Sequence, residues 1–382
     1  MHFYQYYSLL ITILEILFLV SFGFAALRLF VAAYNFISKP VLSNFPIDNE
    51  TDIRSSCGKV SILVPARNEA HNLPLLIKSI YSQPFQNFEL IILNDDSSDD
   101  TEKVVLSYKE KYSSLKLIQG KELPSGWLGK NWACHQLFQE SKEDYVLFID
   151  ADVVIKNDAL PKALGIMSKY NLSLLSVFPE QEMRTWGEKV TVPIMHYLLL
   201  SLLPLDFIYL LKPKSLAAAN GQFMLFAAEA YRKHLFHSIC KNEIVEDIKI
   251  MQTIKSLELK GKTLLGNGLI YCRMYKSYKD GISGFSKNLL SGFGGSQIGL
   301  LVYLGLILII PFSMLFFNSQ LAGWYLLIAL LIRVLVSLVS KQDVIQNLAL
   351  HFAQMGSLLW IAFKTIGNSY FGTLEWKGRK IK

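Results

Sequence analysis

Three apolar runs restrict what this chain can fold into. Residues 8–34, 298–317 and 321–339 each approach or exceed the roughly 20 helical residues needed to cross a bilayer. The chain of 382 residues is 52% hydrophobic, with a mean hydropathy of +0.31, too apolar for an ordinary soluble enzyme. The first run lacks a basic leader and a small-residue cleavage site, so residues 1–35 read as an uncleaved anchor. Glu15 sits inside it, a functional candidate or a carboxyl packed against a neighbouring helix or snorkelling to the surface. Arg28 and Lys39, with the basic residues beyond them, are read as flanking the span and place the following domain in the cytoplasm. The short 318–320 connection makes the second and third runs an antiparallel hairpin over residues 298–339.

Between these runs the texture changes. Residues 60–64, 88–93 and 115–119 read as strands and 72–82 and 99–112 as helices, an alternation that predicts an open, mostly parallel α/β sheet. Ligands of such sheets bind beyond the carboxyl ends of the strands, where strand order reverses. The loops to inspect are therefore Pro65 to Glu69, Asn94 to Thr101, and Pro124 to Trp132. No GxGxxG follows a strand, and no GxxxxGK[ST] occurs, which argues against a nicotinamide cofactor and a P-loop. Asp99 suits a helix N-cap, Ser97 and Ser98 suit turns, and Asp95 is placed to accept from a base or ribose. Gly129 and Lys130 at a helix start bring a backbone and an ammonium within reach of a phosphate.

The run YVLFIDADVVI, residues 145–155, is the pivot. Its apolar half reads as a strand buried on both faces, and it ends in Asp150 and Asp152. Residues i and i+2 of an extended segment face the same side, so both carboxylates point into one volume where a cation is needed between them. Mg²⁺ or Mn²⁺ bridging a diphosphate fits; a solvated turn is the other reading.

The formal charge of +7 contains no long basic run, which favours an anionic membrane surface or a phosphate-bearing substrate over nucleic acid. No nucleic-acid motif occurs. Cys57, Cys134, Cys240 and Cys272 form no CxxC pair, so neither a zinc site nor a disulfide scaffold is expected.

Taken in order, Pro65 to Glu69, Asp95, Gly129 with Lys130, Asp150 to Asp152, and Glu246 with Asp247 resemble the site series of family 2 glycosyltransferases with the GT-A fold, over about residues 59–291. GWLGKNWAC, ANGQFMLF, RMY, FSKNLLSGFGGSQ and the terminal EWKGR are more narrowly similar to membrane-bound glycosyltransferases of carotenoid (diaponeurosporenoate) and hopanoid pathways. The resemblance implies that Glu69 and Asp95 contact the uridine, that Lys130 lies near the nucleotide, and that Pro65 belongs to the same nucleotide-sugar site. It also implies that Asp150 meets the ribose or metal, that Asp152 meets the metal, and that Asp247 is the general base. An inverting transfer needs such a carboxylate opposite the leaving diphosphate. Glu246, Asn220 and Gln222 fall on the sugar and acceptor side, unless the last two only cap a turn. The QxxRW motif of processive members is missing, which speaks against a polysaccharide synthase. Arg273 is the candidate to cover the diphosphate in its place, or forms a surface ion pair.

Residues 190–211 approach spanning length but are broken by Pro193 and Pro204. One crossing there would separate Asp152 from Asp247, so an interfacial or re-entrant element, forming part of a lipid entrance, is expected; a buried helix pair is the alternative. His196 within it reads as a second base or as a satisfied histidine. Residues 344–366 read as interfacial or re-entrant, leaving the basic tail to 382 in the cytoplasm, with Trp376 and Arg379 in reach of the nucleotide or Trp376 only an interface anchor.

The sequence thus predicts a multi-pass protein of the cytoplasmic membrane whose GT-A domain, residues 58–291, faces the cytoplasm. It would use Mg²⁺ or Mn²⁺ to move a hexose from a UDP-sugar to a lipid, foremost a carotenoid or other isoprenoid. A hopanoid, polyprenyl phosphate, diacylglycerol or sphingolipid acceptor stays open. So does a non-catalytic membrane scaffold, although three clustered carboxylates serve a scaffold poorly.

Overall fold

The computed structural model describes residues 2–45, 58–371, 375–376 and 379–380. They form two compact units, one of Lys39–Glu182 and Leu205–Met274 with Thr373–Lys382, the other of Met1–Ser38, Met183–Pro204 and Tyr275–Gly372.

The first unit is an α/β sheet domain. Strands β1 (Val60–Ala66), β2 (Phe88–Asn94), β3 (Leu115–Gln119) and β4 (Tyr145–Ile149) precede a short β5 (Val153–Ile155). Then come β6 (Leu174–Phe178), β7 (Glu180–Gln181), β8 (Phe223–Ala227), β9 (Gly261–Leu265) and β10 (Ile270–Cys272). Seven strands form the main sheet in the order β3-β2-β1-β4-β8-β6-β9, and β5-β10-β7 form a small second sheet. In the main sheet only β8 runs against its neighbours. The apolar run FELIILN of β2 is buried along its whole length, as a strand covered on both faces must be.

Strand order reverses between β1 and β4, which opens the carboxyl ends of β1, β2 and β4 to one crevice. Pro65 is not a loop residue: it is the sixth position of β1, opposite Leu93. The β1–β4 pairing stops at Leu63–Phe148, so the missing N–H of Pro65 breaks no ladder there. Helices span Leu73–Tyr81 and Thr101–Lys109, each shorter than the sequence pattern. The second starts late because Asp99 turns its carboxylate onto the N–H and hydroxyl of Thr101 and so ends the loop.

The second unit is helical. Among the described residues, His2–Ser38, Gln297–Phe317 and Ser319–Val339 contain the three stretches long and apolar enough to cross a membrane. A π-helical turn at Gly305–Ile309 precedes Pro311, whose ring and absent N–H cannot continue an α ladder. Asn318 alone separates the last two helices and caps the second through the Leu321 N–H at 3.1 Å. Residues 190–211 divide into the end of Trp186–Thr191, then Pro193–Leu202 and Phe207–Leu210, the breaks falling at the two prolines. Pro193–Leu202 packs against His2–Ser38 and Ser319–Val339 within the helical unit. Asn35 donates to the carbonyls of Leu200 and Leu203, each at 2.9 Å.

His196 is buried and bonds Gln342 at 3.0 Å, the satisfied-histidine reading. Glu15 is exposed, and Arg28 does not flank the helix but is buried inside it. The polar residues of 344–366 are also used within this unit: Asn347 bonds Ser337 and Gln342, and Gln354 bonds Asn347 and the Lys189 carbonyl. Glu375–Trp376 and Arg379–Lys380 pair as a small antiparallel ladder; their side chains lie outside the described residues.

Candidate active site

The two loops that follow β1 and β2 interlock. Each passes through one left-handed residue, Asn68 at φ 54° and Asp96 at φ 52°, residue types that tolerate this region. The Asn68 N–H donates to Ser97 Oγ at 3.0 Å, Asn68 Oδ1 accepts from the Ser98 N–H at 2.8 Å, and the Ala70 N–H donates to Asp99 at 3.1 Å. Arg67 donates to the carbonyls of Asp95 and Asp96 at 2.7 and 2.9 Å. The serines and Asp99 of DDSSDDT are therefore spent on holding one loop to the other. Asp95 is left buried at the end of β2, its N–H extending the ladder to Ala66 at 2.8 Å. Glu69 accepts from Asn72 at 2.6 Å.

The second part lies at the end of β4. Antiparallel pairing of Ile149 with Phe223 brings Gln222 beside Asp150, whose N–H donates to the Gln222 carbonyl at 3.2 Å. Asp150 to Val153 then forms a turn, closed by the Val153 N–H on the Asp150 carbonyl at 3.2 Å. The two aspartates thus meet through a turn and not along an extended strand.

Lys130 opens the helix Gly129–Glu140. Asn131 ties that helix start to the carbonyls of Cys240 and Glu243, just ahead of the helix Glu246–Ser256. The Lys130 ammonium sits between two carboxylates, 3.0 Å from Asp150 and 3.2 Å from Glu246. Burial pulls its proton affinity down, but the charges of Asp150 and Glu246 outweigh this and hold it well above the usual lysine range.

Asp247 accepts from the Gly221 N–H at 2.9 Å and from the Ile248 N–H at 2.7 Å. Burial, then the neighbouring Glu246 charge, push its carboxyl up to about 7, against those two bonds. Gly221 sits in a close approach: a Cβ there would stand 3.1 Å from Lys130 Nζ and 3.2 Å from Glu246 Oε1. Asn220 is buried and turns inward, its Oδ1 accepting from the Gln222 N–H at 2.8 Å, so its amide shapes the turn that presents Gly221.

Asp152 is the unsatisfied member. Its Oδ1 is buried without a hydrogen-bond partner among the described residues. Burial first, then the charges of Asp150 and Glu69, push its carboxyl up to about 7, with a thiol hydrogen bond from Cys272 opposing them. Cys272 also receives the Gln222 amide at 2.8 Å, and Gln222 Oε1 is a second buried oxygen without a partner. Among the described residues no group of three or more His, Cys, Asp or Glu converges as a ligand set. Two carboxylates at a strand end, one with an orphaned oxygen, still fit a hard divalent ion that completes its shell from a diphosphate and water. The β5–β10 register pairs Val153 with Cys272, so Arg273 follows on beside Asp152.

Gly221 and Cys272 escaped the sequence reading. Gly221 lies within the ANGQFMLF motif, where glycine beside two polar residues was the available signal; an isolated cysteine carried none.

Residues 61–235 match the family model of glycosyl transferase family 2. The 4,4'-diaponeurosporenoate glycosyltransferase of Staphylococcus haemolyticus (strain JCSC1435) is 25% identical over 270 residues, 70% of each chain. The enzyme of the same name from Staphylococcus aureus (strain USA300) is 26% identical over 245 residues, 62% of each chain. Among solved structures, the Pyrobaculum calidifontis mannosyltransferase in complex with GDP-Man and Mn²⁺ superposes with a TM-score of 0.52 at 16% identity, covering 92% of this chain and 99% of that one. Residues 61–235 therefore carry a family 2 glycosyltransferase domain, and the sheet has the GT-A fold.

Proposed function

We propose that the protein transfers a hexose from a UDP-sugar, with inversion, to an isoprenoid lipid of the carotenoid type at the cytoplasmic face of the cell membrane. The observation that carries this reading is the Lys130 ammonium held between Asp150 and Glu246, with Asp247 fixed beside it under Gly221. Such a site offers a cation toward phosphate and a carboxylate of raised proton affinity toward an acceptor. The names of the staphylococcal relatives support a carotenoid acid as acceptor.

In this reading Glu69 and Asp95 meet the uridine, and Lys130 and Arg273 lie against the diphosphate. Asn220 and Gln222 shape the sugar side. Bound Mg²⁺ or Mn²⁺ would be held by Asp150 and Asp152 and would neutralise charge growing on the departing diphosphate. Asp247 receives the proton of an acceptor hydroxyl as its oxygen attacks the sugar carbon. With a carboxyl at about 7, that base is charged above neutrality, so hydroxyl transfer falls about tenfold per pH unit below pH 7. A carboxylate acceptor arrives without a proton and shows a much weaker acid limb.

The three apolar helices act as membrane spans, and 190–211 and 344–366 lie at or near the interface. A reporter fused after Lys382 reads the orientation; a signal from outside the cell contradicts it.

The test is nucleotide release by the detergent-purified protein. UDP-glucose and GDP-mannose are supplied in parallel with and without Mn²⁺, and a carotenoid acid, a hydroxylated carotenoid, a hopanoid and a diacylglycerol are added in turn. Release of UDP, stimulated by a carotenoid and by the metal, is expected. Release from GDP-mannose alone, or stimulation only by a non-isoprenoid lipid, overturns the donor or the acceptor.

A further inference from the structure

The helical unit holds a second charged cluster that the transferase reading leaves unused. Arg333, on the helix Ser319–Val339, is 1% exposed, and its Nε, Nη1 and Nη2 all lack a hydrogen-bond partner among the described residues. Its guanidinium carbon stands 3.7 Å from the centroid of the Tyr197 ring. Arg28, on His2–Ser38, is 2% exposed and lies over the same ring at 4.8 Å and over Tyr303 at 5.5 Å. It donates to Ser201 Oγ at 2.9 and 3.2 Å. The Tyr303 hydroxyl and His351 Nδ1 are also buried without partners among the described residues, and the His351 ring lies 6.3 Å from that of Tyr197. Among the described residues neither arginine forms an ion pair.

A buried guanidinium with no acceptor is costly in any protein and more so in an apolar helical setting, where such groups pair or meet a ligand. Two of them bearing on one tyrosine repel each other, and a negative charge between them relieves both. Cation–π contact with Tyr197 offsets part of the cost but fills none of the in-plane N–H positions, which match the paired oxygens of a phosphate or carboxylate. Five helices supply the groups: Arg28 from His2–Ser38, Ser201 from Pro193–Leu202, Tyr303 from Gln297–Phe317, Arg333 from Ser319–Val339 and His351 from His351–Phe371.

We propose that Arg28 and Arg333, with Tyr303 and His351, form a binding site for the oxyanion headgroup of a lipid, phosphate or carboxylate, inside the helical unit. The site is separate from the carboxylate-rich one in the sheet unit, and its test is a binding measurement independent of sugar transfer.

Full-length protein in a neutral, phosphate-free detergent is loaded with phosphatidylglycerol or with diacylglycerol of the same chains, and with a long-chain fatty acid or its alcohol. Retained lipid is counted by native mass spectrometry. Retention of about one phosphatidylglycerol or fatty acid per chain is expected, with the uncharged partner at least tenfold weaker. R333M removes that preference while melting no lower than wild type without lipid, because it deletes an unpaired buried charge. R333K keeps the charge without the fork and retains an intermediate preference, which carries the test should R333M fail to fold. Equal retention of charged and uncharged lipids, or an unchanged preference in R333M, overturns the site. Displacement of all lipid by millimolar inorganic phosphate assigns it to a free ion and overturns the lipid.

Discussion

The charges of the sheet unit and those of the helical unit follow opposite patterns. At the strand ends Lys130 has a carboxylate on either side, and Asp247 takes two backbone N–H groups. Around Tyr197 two arginines gather with no carboxylate, and three nitrogens of Arg333 have no acceptor, among the described residues. The first arrangement is balanced except at Asp152, the position where an added cation would serve. The second is unbalanced in the other sense. The imbalance in each unit indicates the sign of what it receives.

Substitutions can break this comparison in order of expected size. Asp247→Asn removes the acceptor-side base and should lower kcat for a hydroxylated acceptor by about 10²–10⁴, with the donor KM within about threefold, read by steady-state UDP release. Lys130→Met leaves Asp150 and Glu246 facing each other without their cation. Melting of the purified protein should show a loss of about 2–3 kcal/mol, and UDP-sugar affinity should fall with it. Gly221→Ala pushes a methyl against Lys130 and Glu246. Because the ammonium is the end of a flexible chain, stability should change by less than about 1 kcal/mol, while kcat/KM falls about tenfold as the pair is displaced.

The smallest effect is a gain. The Asp152 carboxyl is raised in the folded protein to about 7, above its unfolded value, so the stability linked to its proton is present at low pH and is lost as pH rises through 7. Asp152→Asn has no charge to bury. Without metal it should therefore melt a few degrees higher than wild type at pH 8, the difference vanishing toward pH 4. Mn²⁺ should raise the melting temperature of wild type and leave Asp152→Asn unmoved.

Much of the sheet unit was legible, because buried parallel strands write themselves as continuous apolar runs: 115–119 was read to the residue, and β1 and β2 fell short only at their carboxyl ends. Pro65 marked a loop in the sequence but sits in β1, since whether a proline breaks a strand depends on where the neighbouring strand ends. Asp150 and Asp152 were paired for the wrong reason, alternation along a strand, when a turn brings them together. The grouping of Lys130 with Glu246 was hidden, because it depends on two helix starts more than a hundred residues apart. The helical unit was legible as lengths and poorly as chemistry. Glu15 drew attention as the charge within a span, while Arg28 passed for a flank and Arg333 drew none. Periodicity and hydropathy report how apolar a helix is; they do not say which side of it faces another helix.

The most direct test of the transferase account is a single-turnover transfer of labelled hexose from UDP-glucose to a hydroxylated carotenoid and to a carotenoid acid, in wild type and Asp247→Asn, with UDP-sugar binding measured on the same samples. The account predicts labelled lipid from wild type. In Asp247→Asn it predicts unchanged donor binding and a 10²–10⁴-fold slower transfer to the hydroxyl. Equal rates for the two proteins on the hydroxylated acceptor, or a wild type that binds UDP-glucose and labels neither lipid, would contradict it.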